Sequence, residues 1–144
     1  MSTAAPFKHF PNRDALVAAL VLTAHRQQVR RFDSAVESVT EPAEQLAEFA
    51  AYVQFTVDEP ALAELIFEAG IDKADHPELA EAGEKVLAVL LPPARELRPG
   101  DAVNLVHTVG ALAHGCAAFL REGVFDSLET ATASARAAAR ALAR

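Results

Sequence analysis

The chain has one cysteine, no glycine-rich phosphate loop and no run of alternating apolar residues. Each absence removes a class of protein. Cys116 has no partner for an internal disulfide, and no signal-peptide pattern opens the sequence, so a reducing cytoplasm is the expected compartment. A membrane-spanning helix needs about 20 consecutive apolar residues. The longest candidate, Val109 to Leu120, is interrupted by His114 and rich in Ala and Gly, so it reads as a buried helix. No glycine loop follows a strand and no nucleophile elbow appears. The acidic residues spread over caps and solvent faces without forming an acid–base couple. Cys116 sits mid-helix among apolar residues, where a thiol is inert packing. No enzyme, cofactor or metal is expected. His107 and His114 are seven apart, whereas ligands sharing a metal on one helix stand three or four apart. His25 and His76 have no neighbours in sequence that suggest a site.

What remains is a helix-forming chain. Its 144 residues are 51% hydrophobic, with a mean hydropathy of +0.14, enough for one packed domain or one domain plus a fragment. Alanine dominates and β-branched runs are short, so the expected fold is all-α. Six glycines and eight prolines fall mostly between periodic segments.

The helices can be placed by their caps and periods. Ser2 is a candidate cap for a short first helix, and Asn12, after Pro11, caps a second that runs to about Phe32. Leu16, Ala19, Leu20 and Thr23 share one face of it. Arg26, Arg30 and Arg31 crowd its far end, where cations suit the helix dipole. A helix from Pro42 carries Leu46, Phe49, Ala50, Val53 and Val57 on one stripe, widened by Tyr52 and Phe55. Asp58-Glu59-Pro60 stops it and starts a short helix ending at Gly70. Another begins at His76-Pro77, with Leu79, Ala82, Val86, Leu87 and Leu90 inward, until Pro92-Pro93. Asp101 can cap a long helix to Arg121, closed by Gly123. Asp126-Ser127-Leu128-Glu129 reads as a capping box with Asp126 as the cap, opening a final helix with Arg136, Arg140 and Arg144 four apart. The candidate domain boundary lies between Phe32 and Thr40, dividing residues 1–32 from 33–144.

Net charge is −7, but it is uneven. Residues 1–31 carry Lys8, Arg13, Arg26, Arg30 and Arg31 against Asp14, a net +4, and the remainder carries −11. A basic end on an acidic body is the footprint of a protein that meets phosphates at one end only.

The first 16 residues give that footprint a meaning. Small Ser2, Thr3, Ala4 and Ala5 would let a helix N-terminus approach bases. Phe7, Lys8, His9 and Phe10 follow, then Pro11-Asn12-Arg13-Asp14-Ala15-Leu16. This string resembles the recognition helix and following turn of TetR-type (tetracycline-repressor-like) transcriptional regulators. The resemblance implies that His9 and Arg13 meet phosphates and that Phe10 packs in a small helix-turn-helix core. Ser2, Thr3 and Phe7 would sit at the same DNA surface, with Thr3 and Lys8 placed to read base edges. Phe7 stands where the family more often has tyrosine. Family members usually show Gly-Val before the residue matching Ser2, and Met1 occupies the valine position. Two further helices are therefore expected upstream, and the chain as written is expected to bind DNA poorly.

From about Glu41 onward the chain resembles the regulatory domain of a WHG-like TetR subgroup. The carriers are Tyr52-Val53-Gln54-Phe55, Glu59-Pro60-Ala61-Leu62, Ile66-Phe67, Ala113-His114-Gly115 and Phe119-Leu120-Arg121-Glu122-Gly123. The tryptophan near the His-Gly pair in some members is missing. The resemblance implies a TetR-like regulatory helical bundle joined to a remnant of a helix-turn-helix domain, the recognition helix and connecting helix. It also implies a pocket for a small apolar effector, with Tyr52, Phe55, Phe67, Leu90, His107, Ala111 and His114 as candidate lining. Each of these also reads, taken singly, as an ordinary core residue. The family pairs through its last two helices, so Leu128, Ala131, Ala135, Ala138 and Leu142 are the candidate homodimer contacts. The implied function is effector-controlled binding to operator DNA. The alternative is a helical ligand-binding or structural dimer that does not touch DNA.

Overall fold

The computed structural model describes residues 10–68, 70–72 and 74–144. Eight α-helices and no strand occur among them. They are α1 (Arg13–Glu37), α2 (Pro42–Ala47), α3 (Ala51–Asp58), α4 (Pro60–Glu68), α5 (Pro77–Ala88), α6 (Leu91–Leu97), α7 (Ala102–Arg121) and α8 (Leu128–Leu142). A 3-10 turn, Glu48–Ala50, joins α2 to α3. The all-α expectation holds.

Asn12 caps α1, its side chain accepting from the Ala15 N–H at 2.9 Å. The helix runs five residues beyond the expected end, to Glu37, so the 32/33 boundary falls inside it. Its buried stripe is also different from the expected one. Val17, Ala18, Val21, Ala24, Gln28 and Phe32 face inward, while Leu20 is 37% exposed and Thr23 is exposed. Both stripes satisfy a helical period over two turns; only the first continues to Phe32 over the full helix. The longer helix also leaves Arg26, Arg30 and Arg31 away from its last turn. Arg31 instead donates to Asp58 at the end of α3, at 2.8 Å, and lies over the Phe55 ring at 5.6 Å.

α7 is the axis of the molecule. By length and composition it could cross a membrane, with a mean hydropathy of 1.4, more than the interrupted Val109 to Leu120 run suggested. Here it packs against α8, α6, α3 and the 3-10 turn, burying Leu105, Val106, Val109, Ala113 and Ala117. α8 crosses α7, α2 and α3. The principal core lies among these elements, with Phe32, Leu46, Val53, Phe55 and Leu90 all but inaccessible. α1 runs along the other side, against α5, α4 and α3, where Val17, Ala18, Val21 and Leu79 make a second, smaller core.

Two caps differ from the sequence reading. Ser127, not Asp126, caps α8, accepting from the Thr130 N–H at 3.1 Å. Asp101 occupies the cap position of α7 without a side-chain capping bond; it accepts from Asn104 instead. Pro92 and Pro93 fall in the first turn of α6, where the absent N–H costs least, so they begin a helix.

α8 spends its small residues internally. Ala131, Ala135 and Ala139 are buried in the chain's own core, and Leu128 and Leu142 pack against it. Ala138 is half-buried. Ala131 and Ala135 are thus covered within one chain and offer a partner no surface.

Candidate functional site

Between the two cores lies a cavity of about 800 Å³. Five parts of the fold line it. α1 contributes Val21, His25 and Gln28; the 3-10 turn and α3 contribute Phe49 and Tyr52. α4 and the loop after it supply Leu65, Ile66, Phe67, Gly70 and Ile71. α5 supplies Leu79, Ala80, Gly83, Glu84, Val86 and Leu87, and α7 supplies His107, Gly110, Ala111 and His114. The lining is mainly apolar with a few polar groups, the composition of a small-molecule site, and the volume lies in the usual range.

The helices bring these residues together for simple reasons. His107, Ala111 and His114 recur at four and three residues along α7, so they share its side. Gly110 lets α7 approach the 3-10 turn: a Cβ there would stand 2.9 Å from Phe49 Cζ. Gly70, at φ +65°, turns the chain after α4.

Two polar pairs sit in the wall. Tyr52 Oη lies 2.9 Å from His114 Nδ1. Burial pushes the Tyr52 phenol up to about 12, opposed by the positive charge of Arg121. Tyr52 therefore keeps its proton at neutral pH; it donates to Nδ1 when His114 carries its proton on Nε2 and accepts from Nδ1–H in the other tautomer. The first of these leaves the His114 Nε2–H as a donor. Phe67 packs on the His114 ring, centroids 4.4 Å apart, although Phe67 itself is 60% exposed. The second pair is His25 Nδ1 and Gln28 Oε1, 3.2 Å apart. Gln28 is only 5% exposed, and no buried polar side-chain atom among the described residues lacks a partner.

A smaller cavity of about 440 Å³ adjoins the first. Thr56, Val57, Pro60, Ala63, Glu64, Ala117, Ala118, Leu120 and Arg121 line it, together with Tyr52, Phe67 and His114. The last three line both spaces.

Of the candidate pocket residues, Tyr52, Phe67, His107, Ala111 and His114 lie on the larger cavity. Phe55 and Leu90 do not; both are fully enclosed in the principal core. The sequence reading missed the α1 and α5 walls, including His25, Gln28 and Gly83. One signal was present: Gln28 is a polar residue on an otherwise apolar stripe, one turn after His25. Ser2, Thr3, Phe7, Lys8 and His9 lie outside the described residues. Arg13 is exposed in the first turn of α1, 3.6 Å from Asp14. Among the described residues no group of three or more His, Cys, Asp or Glu could hold a metal ion. Burial raises the Cys116 thiol above its ordinary pKa, which weakens it as a nucleophile.

Known proteins place this architecture. A solved structure of a protein with unknown function from Rhodococcus sp. RHA1 superposes with a TM-score of 0.77 at 25% identity, covering 98% of this chain and 78% of that one. No curated protein matches the sequence. The family model described as "Tetracyclin repressor-like, C-terminal domain" matches residues 45–142, which hold α3 to α8, the second half of α2 and both cavities' α7 wall. The chain belongs to that family, the tetracyclin repressor-like C-terminal domains.

Proposed function

We propose that this protein is a ligand-responsive transcriptional regulator of the cytoplasm, working as a homodimer on operator DNA, with a small, largely apolar effector in the larger cavity. The cavity between α1 and α7 carries the reading, because it lies inside a domain whose family is regulatory. The basic residues at 1–31 supply the DNA side of the argument, with Ser2, Thr3, Phe7, Lys8, His9 and Arg13 as the proposed contacts. No enzymatic role is proposed.

α1 is the proposed coupling element. Its inward stripe puts Val21, His25 and Gln28 against the cavity. Its other face, with Leu16 half-buried and Leu20 exposed, is left for the DNA-binding part. An effector that favours one tilt of α1 shifts the spacing of the paired recognition helices, and one spacing fits successive major grooves.

The proposed dimer surface is the outer side of α7 and α8. Leu112 (39% exposed) and Phe119 (48%) stand seven residues apart on α7, turned away from His107 and His114. Ala133, Ala137 and Ala141 are exposed at four-residue spacing on α8 and permit close helix approach. This surface replaces the buried Ala131 and Ala135.

The test is to recover genomic fragments bound by the protein as it exists in its own cells, and to sequence them. One or a few symmetric fragments, released by a cavity-binding compound, are expected. A dimeric, ligand-binding protein that enriches no fragment would overturn operator binding in favour of a helical ligand-binding dimer.

A further inference from the structure

The effector reading leaves the smaller cavity unused, and its chemistry differs from that of the larger one. Among the described residues no lysine or arginine lines the larger space. Arg121 lines the smaller one, is exposed, and forms no ion pair among the described residues. Glu64 shares that lining without pairing with it. Three side chains line both spaces: the Tyr52–His114 pair, with Phe67 packed on the His114 ring.

Resting on the effector reading, we propose that the two cavities form one elongated site for an amphiphile, with its apolar chain in the larger chamber and an anionic end beside Arg121 in the smaller. Three features favour this occupant. The larger chamber is walled by Leu65, Ile66, Leu79 and Leu87, which suit a hydrocarbon chain and solvate no charge. The exposed face of Phe67 leaves the wall open to solvent on one side, so the ring can swing without breaking the core. Arg121 offers a planar fork matched to a carboxylate. Its charge already acts on the hydroxyl of Tyr52, a residue that lines both chambers. A carboxylate there accepts from Arg121, and from the His114 Nε2–H in the tautomer to which Tyr52 donates.

The experiment compares three probes by calorimetry, below any micelle concentration: dodecanoate, dodecan-1-ol and phenol. Dodecanoate is expected to bind at least about tenfold more tightly than dodecan-1-ol, the difference a charge-assisted hydrogen bond supplies. Arg121→Gln should reduce that preference to within about twofold while leaving dodecan-1-ol unchanged. Ala111→Trp, at an exposed position on the larger chamber, should weaken both long probes by about tenfold or more by filling the chain's space. Equal affinity for the acid and the alcohol, or an Ala111→Trp variant that binds both normally, overturns the proposal. Phenol binding with neither long probe bound also overturns it and leaves the effector cavity standing. Failure of all three probes removes both.

Discussion

The half of the molecule built from α2, α6, α7 and α8 and the half built from α1, α4 and α5 are packed by opposite rules. In the first, alanines at 131, 135 and 139 let helices close tightly, and Leu46 and Leu90 fill the centre together with Phe32 reaching in from α1 and Phe55 from α3. Its polar contacts lie outside. Arg140 forks onto Glu44 at 2.8 and 2.9 Å, and Arg98 donates to the carbonyls of Leu142 and Arg144. In the second, a small core of Val17, Ala18, Val21 and Leu79 coexists with a cavity of about 800 Å³, and Gln28, His25 and Tyr52 turn inward. A dense half with polar groups outside makes a frame; a loose half with polar groups inside makes a site. The division puts low packing density where a ligand must enter and keeps it away from α8.

The most direct way to break this comparison is to delete one phenylalanine from each side. Phe55→Ala should destabilise by about 3–5 kcal/mol, because a fully buried ring leaves a void the frame cannot close. Phe67→Ala, at a ring that is 60% exposed, should cost less than about 1 kcal/mol. Denaturant midpoints measure both. Equal losses would mean that α4 is as integral to the frame as α3.

Two glycines sharpen the same contrast with opposite signs. Both line the cavity. At Gly110 an added methyl would lie 2.9 Å from Phe49 Cζ, and Phe49 is held by Phe32 at 4.9 Å between ring centroids. Gly110→Ala should therefore cost about 1–3 kcal/mol. At Gly83 the nearest atoms, on the His25 ring, are 3.9 Å away, an ordinary contact. Gly83→Ala should stabilise α5 by about 0.5–1 kcal/mol through helix propensity. A loss at Gly83 would show that the loose half is tighter than its cavity implies.

The sequence spoke clearly about elements and less clearly about faces. Pro42, Asp58-Glu59-Pro60, Pro77 and Gly123 mark helix ends through their own backbone, and Asn12 through a side chain that caps the next residues of its own chain. The α1 stripe was misplaced because two registers fit its first turns, and only packing against α5 selects Val17 and Val21 over Leu16 and Leu20. The α7 part of the cavity, His107, Ala111 and His114, was legible from helical spacing and the family resemblance. The α1 and α5 walls were not, since which helices flank a void is a tertiary fact. Phe55 and Leu90 failed as lining for the same reason: apolar character does not distinguish a residue beside a space from one that fills it. Ala131 and Ala135 failed because a small-residue stripe suits a helix of the same chain as well as a partner's.

Titration gives the comparison a third form. Tyr52 has a folded-state pKa raised to about 12 from 10.0. Its stabilising contribution is complete below the ordinary tyrosine value and is lost as pH rises from there through the raised one, since ionisation would leave a phenolate in a desolvated wall. Tyr52→Phe should remove that share of the alkaline slope, seen as a smaller fall in the urea midpoint between pH 9 and pH 11 than in the unchanged protein. An unaltered slope would mean that the wall opens to water before the phenol ionises.

On the frame side the corresponding group is Glu44, and the sign is reversed. The bidentate Arg140 guanidinium holds its carboxyl below the ordinary value of 4.5. The pair's contribution is therefore present above that value and is lost as pH falls through the lowered one. Both partners are exposed and solvent-screened, so this should be the smallest effect, diminishing further with added salt. Arg140→Gln should lower the urea midpoint slightly at pH 7, and the gap from the unchanged protein should vanish on acidification. A gap that persists at pH 2 would assign Arg140's role to the packing of its methylene stem across α2 rather than to its charge.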